Sequence, residues 1–212
     1  MTIVSGLFTI MQNLKVDMVI IGKQGMQSQN YQDFLRIAKN KKIKVVQVKA
    51  GDKIQIDENT SISVLFPTEN LISENVLNNN SLVTKFTYAI DGLKKFSMLL
   101  TGDIEEIAED EIVNIYRNTN ELQANILKIA HHGSKTSTTQ DFLNLVKPQI
   151  ALIGVGENNS FGHPNKVTLD KLNNLGTKIF RTDLSGEITI TVTKKRDYKI
   201  ERTFKIKIIF CN

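Results

Sequence analysis

Apolar residues recur along the chain with two periods. Leu7, Ile10, Met11 and Leu14 stand three and four apart, which predicts a helix over residues 6–14, and 17–21 follows as a short buried strand. Phe34, Leu35 and Ala38 share one face of a second helix at 31–41, and 43–48 forms the next strand. After Gly51-Asp52 the period shortens to two. Alternating β-branched residues at 53–56, 61–66, 81–90 and 94–101 predict hairpin-linked antiparallel strands, with Asp91-Gly92 as a two-residue turn. A polar loop at 67–80, ending in Asn78-Asn79-Asn80-Ser81, interrupts them. Beyond Asp103 the longer period returns: helices at 104–118, 140–146 and 166–175 alternate with strands at 124–130, 149–155 and 178–181. Two strands, 187–193 and 198–209, close the chain around Lys194-Lys195-Arg196-Asp197. With no repeat or linker, the pattern predicts one domain over 1–212 of α/β (α+β) class, sheets inside and helices outside in αββα layering.

Composition narrows the class further. With 212 residues, 41% hydrophobic and 23% charged, the chain can bury a sizeable core. Its apolar runs, such as 150–155, fall far below the roughly 18–20 residues a bilayer span needs. The opening Met1-Thr2-Ile3-Val4 lacks the basic and apolar blocks of a signal peptide, so the isolated chain is expected in the cytoplasm. One cysteine, Cys211, allows neither an intrachain disulfide nor a cysteine-based zinc site. A net charge of +5 and a pI near 9.2 favour a polyanion such as DNA, although the wealth of Asn, Lys and Ile is also what an AT-rich genome produces.

Candidate chemistry sits where apolar runs end. The chain has three histidines, and all fall in two motifs, Ala130-His131-His132-Gly133-Ser134 and Phe161-Gly162-His163-Pro164; a third motif is Leu99-Leu100-Thr101-Gly102-Asp103. Asp103 could coordinate a divalent cation or could N-cap the following helix. In the histidine pair, one ring can face a metal while its neighbour points across the sheet or supports the site. Ser134, Lys135, Thr136, Ser137 and Thr138 crowd hydroxyls and a cation onto a helix start whose free N–H groups suit a phosphate; capping by Thr138 or Thr139 is the alternative. His163, fixed by Pro164, could ligate, donate a proton or simply shape a turn. Glu105, Glu106 and Glu109 read as a solvated helix face.

Taken in order, five stretches resemble the metallo-β-lactamase-fold C-terminal domain of ComEC-type DNA-uptake (competence) proteins. They are Asn79-Asn80-Ser81-Leu82-Val83, Leu99 to Asp103, Leu127 to Ser134, Gly156-Glu157-Asn158-Asn159 with Gly162-His163-Pro164, and Arg181-Thr182-Asp183 with Gly186, and the likeness covers about residues 5–190. The resemblance implies a metal-dependent, nuclease-like hydrolase acting on the non-transported DNA strand, with zinc or manganese as cofactor. It makes Asp103 the bridging carboxylate, His131 the late histidine ligand with His132 beside it, and His163 a further catalytic candidate. It also implies a membrane-channel portion in the full-length protein.

One departure changes the expectation. The family's first metal motif, a His-x-Asp-x-Asp-His-like run, precedes a glycine-led helix start that here resembles Val4-Ser5-Gly6-Leu7. Thr2 and Ile3 stand where its last two places would be, and neither coordinates a divalent metal. The chain therefore reads as a truncated sandwich lacking its first strands and first metal motif, with weak or absent metal binding and no activity in isolation. The alternatives are a non-catalytic DNA-binding module that keeps the phosphate-contact loops, and a half-site completed by another polypeptide. An uncovered sheet edge also predicts self-association.

Overall fold

A computed structural model describes residues 3–23, 28–90, 94–192 and 198–203. Helix α1 (Ile3–Asn13) and helix α2 (Gln29–Lys41) pack on a parallel pair, β1 (Met18–Gly22) and β2 (Lys44–Val48), in register Met18 to Lys44. Only part of the apolar spacing read from the sequence is buried: Met11, Phe34, Ala38 and Ile43 form a small core of their own with Leu7 against it, whereas Ile10, Leu14 and Leu35 face outward. Ser28 starts α2 by accepting the Tyr31 N–H at 3.2 Å.

A mixed sheet carries the rest. Strands β3 (Lys53–Gln55), β4 (Thr60–Phe66), β5 (Val83–Ile90) and β6 (Lys94–Leu100) pair antiparallel in sequence order. Strands β7 (Ile126–Lys128), β8 (Ile150–Ile153) and β9 (Lys178–Arg181) continue from β6 in parallel. Parallel strands need crossovers. Helices α4 (Glu106–Tyr116), α5 (Gln140–Val146) and α6 (Lys166–Asn174) supply them.

Alternation along the short parallel strands divides the two cores. Leu127, Ala151 and Ile153 face the helices and pack with Ile104, Ala108, Ile112, Phe142, Leu143 and Leu172. Ile126 and Ile150 face the other way, with Phe96 and Phe180, against Ile188, Ile190 and Val192 of β10 (Glu187–Val192), which pairs with β11 (Tyr198–Thr203). Fully burying each such side chain contributes on the order of 1.5–3 kcal/mol, so these two faces hold the sheet between its layers.

The α/β class with a central mixed sheet is as the sequence predicts. Element edges differ. The loop expected at 67–80 contains a helical turn, α3 (Val76–Asn79), and the strand expected at 124–130 contracts to Ile126–Lys128. Beyond it, Ala130–Gly133 turns in a short 3-10 segment in which His131 and His132 have φ of 46° and 55°. A short helix, α7 (Thr182–Ser185), follows β9. The Asp91-Gly92 turn, Lys194 to Asp197, the end of the last strand beyond Thr203 and Cys211 lie outside the described residues. Among the described residues no helix is long and apolar enough to cross a membrane.

Candidate functional site

The loops that follow β6, β7 and β8 converge at the carboxyl ends of parallel strands, where open α/β sheets present their chemistry. Asp103 leaves β6 through Gly102, whose φ is +57°. A Cβ at Gly102 would stand 2.6 Å from the Ser81 Cβ, so a glycine lets the loop press against Ser81. There the Asp103 N–H donates to Ser81 Oγ at 3.1 Å. Helix α4 begins at Glu106 with Glu105 as its N-cap residue. Asp103 therefore does not cap it, and its carboxylate is free for other work.

His132 faces that carboxylate. Its Nδ1 lies 2.6 Å from the Gly154 carbonyl oxygen; a carbonyl only accepts, so Nδ1 carries the proton. In the neutral ring this leaves the lone pair on Nε2, 3.7 Å from Asp103 Oδ1. A backbone carbonyl behind one nitrogen with the other directed at a carboxylate is the outer support typical of a metal-binding histidine. Lys128, half-buried, ties the neighbouring strand ends together by donating to Gly102 O at 3.1 Å and Ile129 O at 3.2 Å. Burial pushes its ammonium pKa below the ordinary lysine value, opposed by the charge of Asp103.

His131 has a different backing. Its buried Nδ1 lies 3.3 Å from Glu105 Oε1 without hydrogen-bond alignment. Glu105 is itself fixed: Oε1 accepts from Thr136 Oγ1 at 2.9 Å, Oε2 accepts from Asn75 Nδ2 at 2.7 Å, and its N–H donates to Asn79 Oδ1 at 3.0 Å. His131, His132 and Gly133 take φ of 46°, 55° and 84° in succession, a run of left-handed backbone that surrounding contacts must hold in place. A Cβ at Gly133 would lie 2.6 Å from Pro164 Cβ, which brings the third motif onto the second. The Asn165 N–H donates to Gly133 O at 2.8 Å and reinforces this contact.

His163 completes the cluster. Asn159 grips its backbone from both sides: Oδ1 accepts the His163 N–H at 2.9 Å and Nδ2 donates to His163 O at 2.8 Å. Its ring meets His131 edge to face, centroids 5.7 Å apart at 65°, and stacks on Phe161 at 5.9 Å and 18°. Burial, and then the charge of His131 and of His132, hold its pKa below the ordinary histidine value. Its Nδ1 is buried without a partner.

Two expectations about the turn need correction. Glu109 is not on a solvated face: it is buried, and its two carboxylate oxygens accept the N–H groups of Thr138 and Thr139, each at 2.6 Å. Those are the N–H groups expected to meet a phosphate, so an internal carboxylate already occupies that helix start. Glu105 is likewise engaged, and of the three glutamates only Glu106 is exposed. Ser134 and Ser137 are buried as well. Ser134 Oγ bonds Thr136 Oγ1 at 3.0 Å, and Ser137 Oγ donates to Ala130 O at 3.3 Å. Thr139 caps α5, leaving Lys135 and Thr136 as the exposed polar residues of this stretch.

The structure thus places Asp103 with His132, and Glu105 with His131 and His163. Among the described residues no group of three or more His, Cys, Asp or Glu side chains is arranged to hold a metal ion. A catalytic zinc takes three protein ligands, so the described residues do not fit a complete metal centre.

Comparison with curated proteins gives the context. The chain is 32% identical over 179 residues to ComE operon protein 3 of Bacillus subtilis, covering 84% of this chain and 22% of that protein. It is 36% identical over 92 residues to competence protein ComA of Neisseria gonorrhoeae, covering 43% of this chain and 13% of that protein. The chain is similar in sequence to competence proteins. Recombination protein 2 of Haemophilus influenzae matches at 33% identity over 102 residues, 48% of this chain and 12% of that protein. The chain spans about a fifth of the length of ComE operon protein 3 and less of the other two. No family model matches. Among solved structures, a metal-dependent hydrolase from Parabacteroides distasonis superposes with a TM-score of 0.47 at 15% identity, over 82% of this chain and 79% of that one.

Proposed function

We propose that this chain is a DNA-contacting part of a competence DNA-uptake protein. In this reading it is a single domain of metallo-β-lactamase type and presents one wall of a phosphodiester-hydrolysing centre. The observation that carries the reading is His132, whose protonated Nδ1 is held by Gly154 O while Nε2 faces Asp103. Asp103, His132 and His131 are the donors this chain offers to a divalent ion such as zinc or manganese. Glu105 lies beside His131, and His163 stands next to them at the loop edge.

Among the described residues the donors stop at a partial set, and in the inactive form of this reading the chain binds metal weakly and cleaves nothing until further ligands are supplied. The same shortage favours a second reading, a non-catalytic DNA-binding module. In both, Lys135 replaces the buried serines as the phosphate contact, and the net charge of +5 supports a polyanionic partner. A membrane-channel portion would accompany the domain in the full-length protein, and uncovered sheet edges would pair chains with one another.

Anisotropy with labelled single-stranded DNA at graded salt tests the shared core. Binding is expected to weaken linearly on a log–log plot with a shallow slope, and Lys135→Ala should lower affinity for all sequences alike. DNA binding that ignores both salt and Lys135→Ala would remove the DNA-contacting role. Tight metal binding by the chain alone, with cleavage, would overturn the inactive form.

A further inference from the structure

We propose that Phe161 is a stacking platform for an unpaired nucleobase of the bound DNA. The inference rests on the DNA-contacting role above and names a residue that holds the strand. Phe161 is 80% exposed, more than any other large apolar side chain among the described residues. Its ring is nonetheless positioned. One side stacks on His163 at 5.9 Å and 18°, and His163 in turn meets His131 at 5.7 Å. The two-sided grip of Asn159 on the His163 backbone fixes the base of this stack.

An aromatic ring held parallel to its neighbour and open to water on its other side loses hydrophobic stabilisation unless something covers it. Its surroundings say what fits. Ser160 is exposed, Gly162 has φ of +69°, and the Pro164 contact on Gly133 joins this loop to the turn carrying the exposed Lys135. A single flat apolar face on a polar loop joined to the lysine-bearing turn suits a base with its phosphate better than a bilayer or a broad apolar protein surface. Bases inside a duplex are already stacked on each other, so the platform takes an unpaired one.

The chain contains no tryptophan, which makes Phe161→Trp a unique fluorescent reporter. Binding is measured with a deoxythymidine oligonucleotide of about twelve nucleotides and with an abasic strand of equal length. Phe161→Ala should weaken binding of the base-bearing strand about tenfold and leave the abasic strand unchanged. Phe161→Trp should restore affinity, with emission quenched by the base-bearing strand alone. Equal affinity of Phe161→Ala and the parent chain for base-bearing DNA, with unchanged tryptophan emission, would overturn the platform while leaving the DNA-contacting role standing. An equal loss on both strands would also overturn it, because the loop would then act without bases. Failure of the parent chain to bind either strand would overturn both.

Discussion

Replacing Glu109 by glutamine changes one atom in the support of the histidine turn. The carboxylate accepts two backbone N–H groups at 2.6 Å each, from Thr138 and Thr139. Glutamine keeps one acceptor oxygen and turns an amide N–H towards the other donor. The loss is one hydrogen bond to a charged group, about 1.5–3 kcal/mol, plus an orphaned buried N–H at about 1–3 kcal/mol. Against this, the neutral amide avoids burying a charge, which recovers a few kcal/mol. The shortness of both bonds decides in favour of the carboxylate, and Glu109→Gln should destabilise the chain by about 2 kcal/mol at pH 7. Urea unfolding with an unchanged m value measures it. A variant as stable as the parent chain at pH 7 would refute the reasoning.

Three further outcomes follow from the same geometry. Gly133→Ala places a methyl 2.6 Å from Pro164 Cβ at φ +84°, and should cost about 2–4 kcal/mol by denaturant titration while loosening the His163 loop. Thr138 is buried at φ 61° with its hydroxyl unpartnered, so Thr138→Gly should raise stability by about 0.5–1 kcal/mol in the same assay. Asp183 accepts from Arg181 Nε at 3.0 Å, which holds its carboxyl below the ordinary value. Its contribution is present above the unfolded pKa of about 3.9 and lost as pH falls through the folded one, so Asp183→Asn should destabilise at pH 7 and match the parent chain at low pH.

Much of the fold is legible because its signals are local. The helical spacing of Leu7 and Met11, the alternation through β4 to β6, and the apolar strands before Asp103 and His131 each follow from burying one face. The site is only half legible for the same reason. Asp103, His131, His132 and His163 announce themselves by type and by position at strand ends. Glu105 and Glu109 do not: their partners are Thr136, Asn75, Thr138 and Thr139, up to some thirty residues away, and glutamates in a first helical turn usually face water. One clue was present. Glu109 lies three positions before Ile112 and next to Ala108, in phase with the buried stripe of α4. Left-handed backbone at two successive histidines is rare even though histidine visits that region more than most residues; tertiary contacts such as that of Pro164 on Gly133 hold it.

The most direct test supplies further donors. The chain is extended before Gly6 by a strand ending in a His-x-Asp-x-Asp-His run, and manganese binding is followed by calorimetry alongside cleavage of single-stranded DNA. The account predicts weak binding and no cleavage by the chain alone, and tight binding with cleavage by the extended chain. It further predicts that Asp103→Asn or His132→Ala in the extended chain abolishes both. Tight binding and cleavage that survive Asp103→Asn and His132→Ala would contradict it, because the pair held by Gly154 and facing across 3.7 Å would then be no part of the centre.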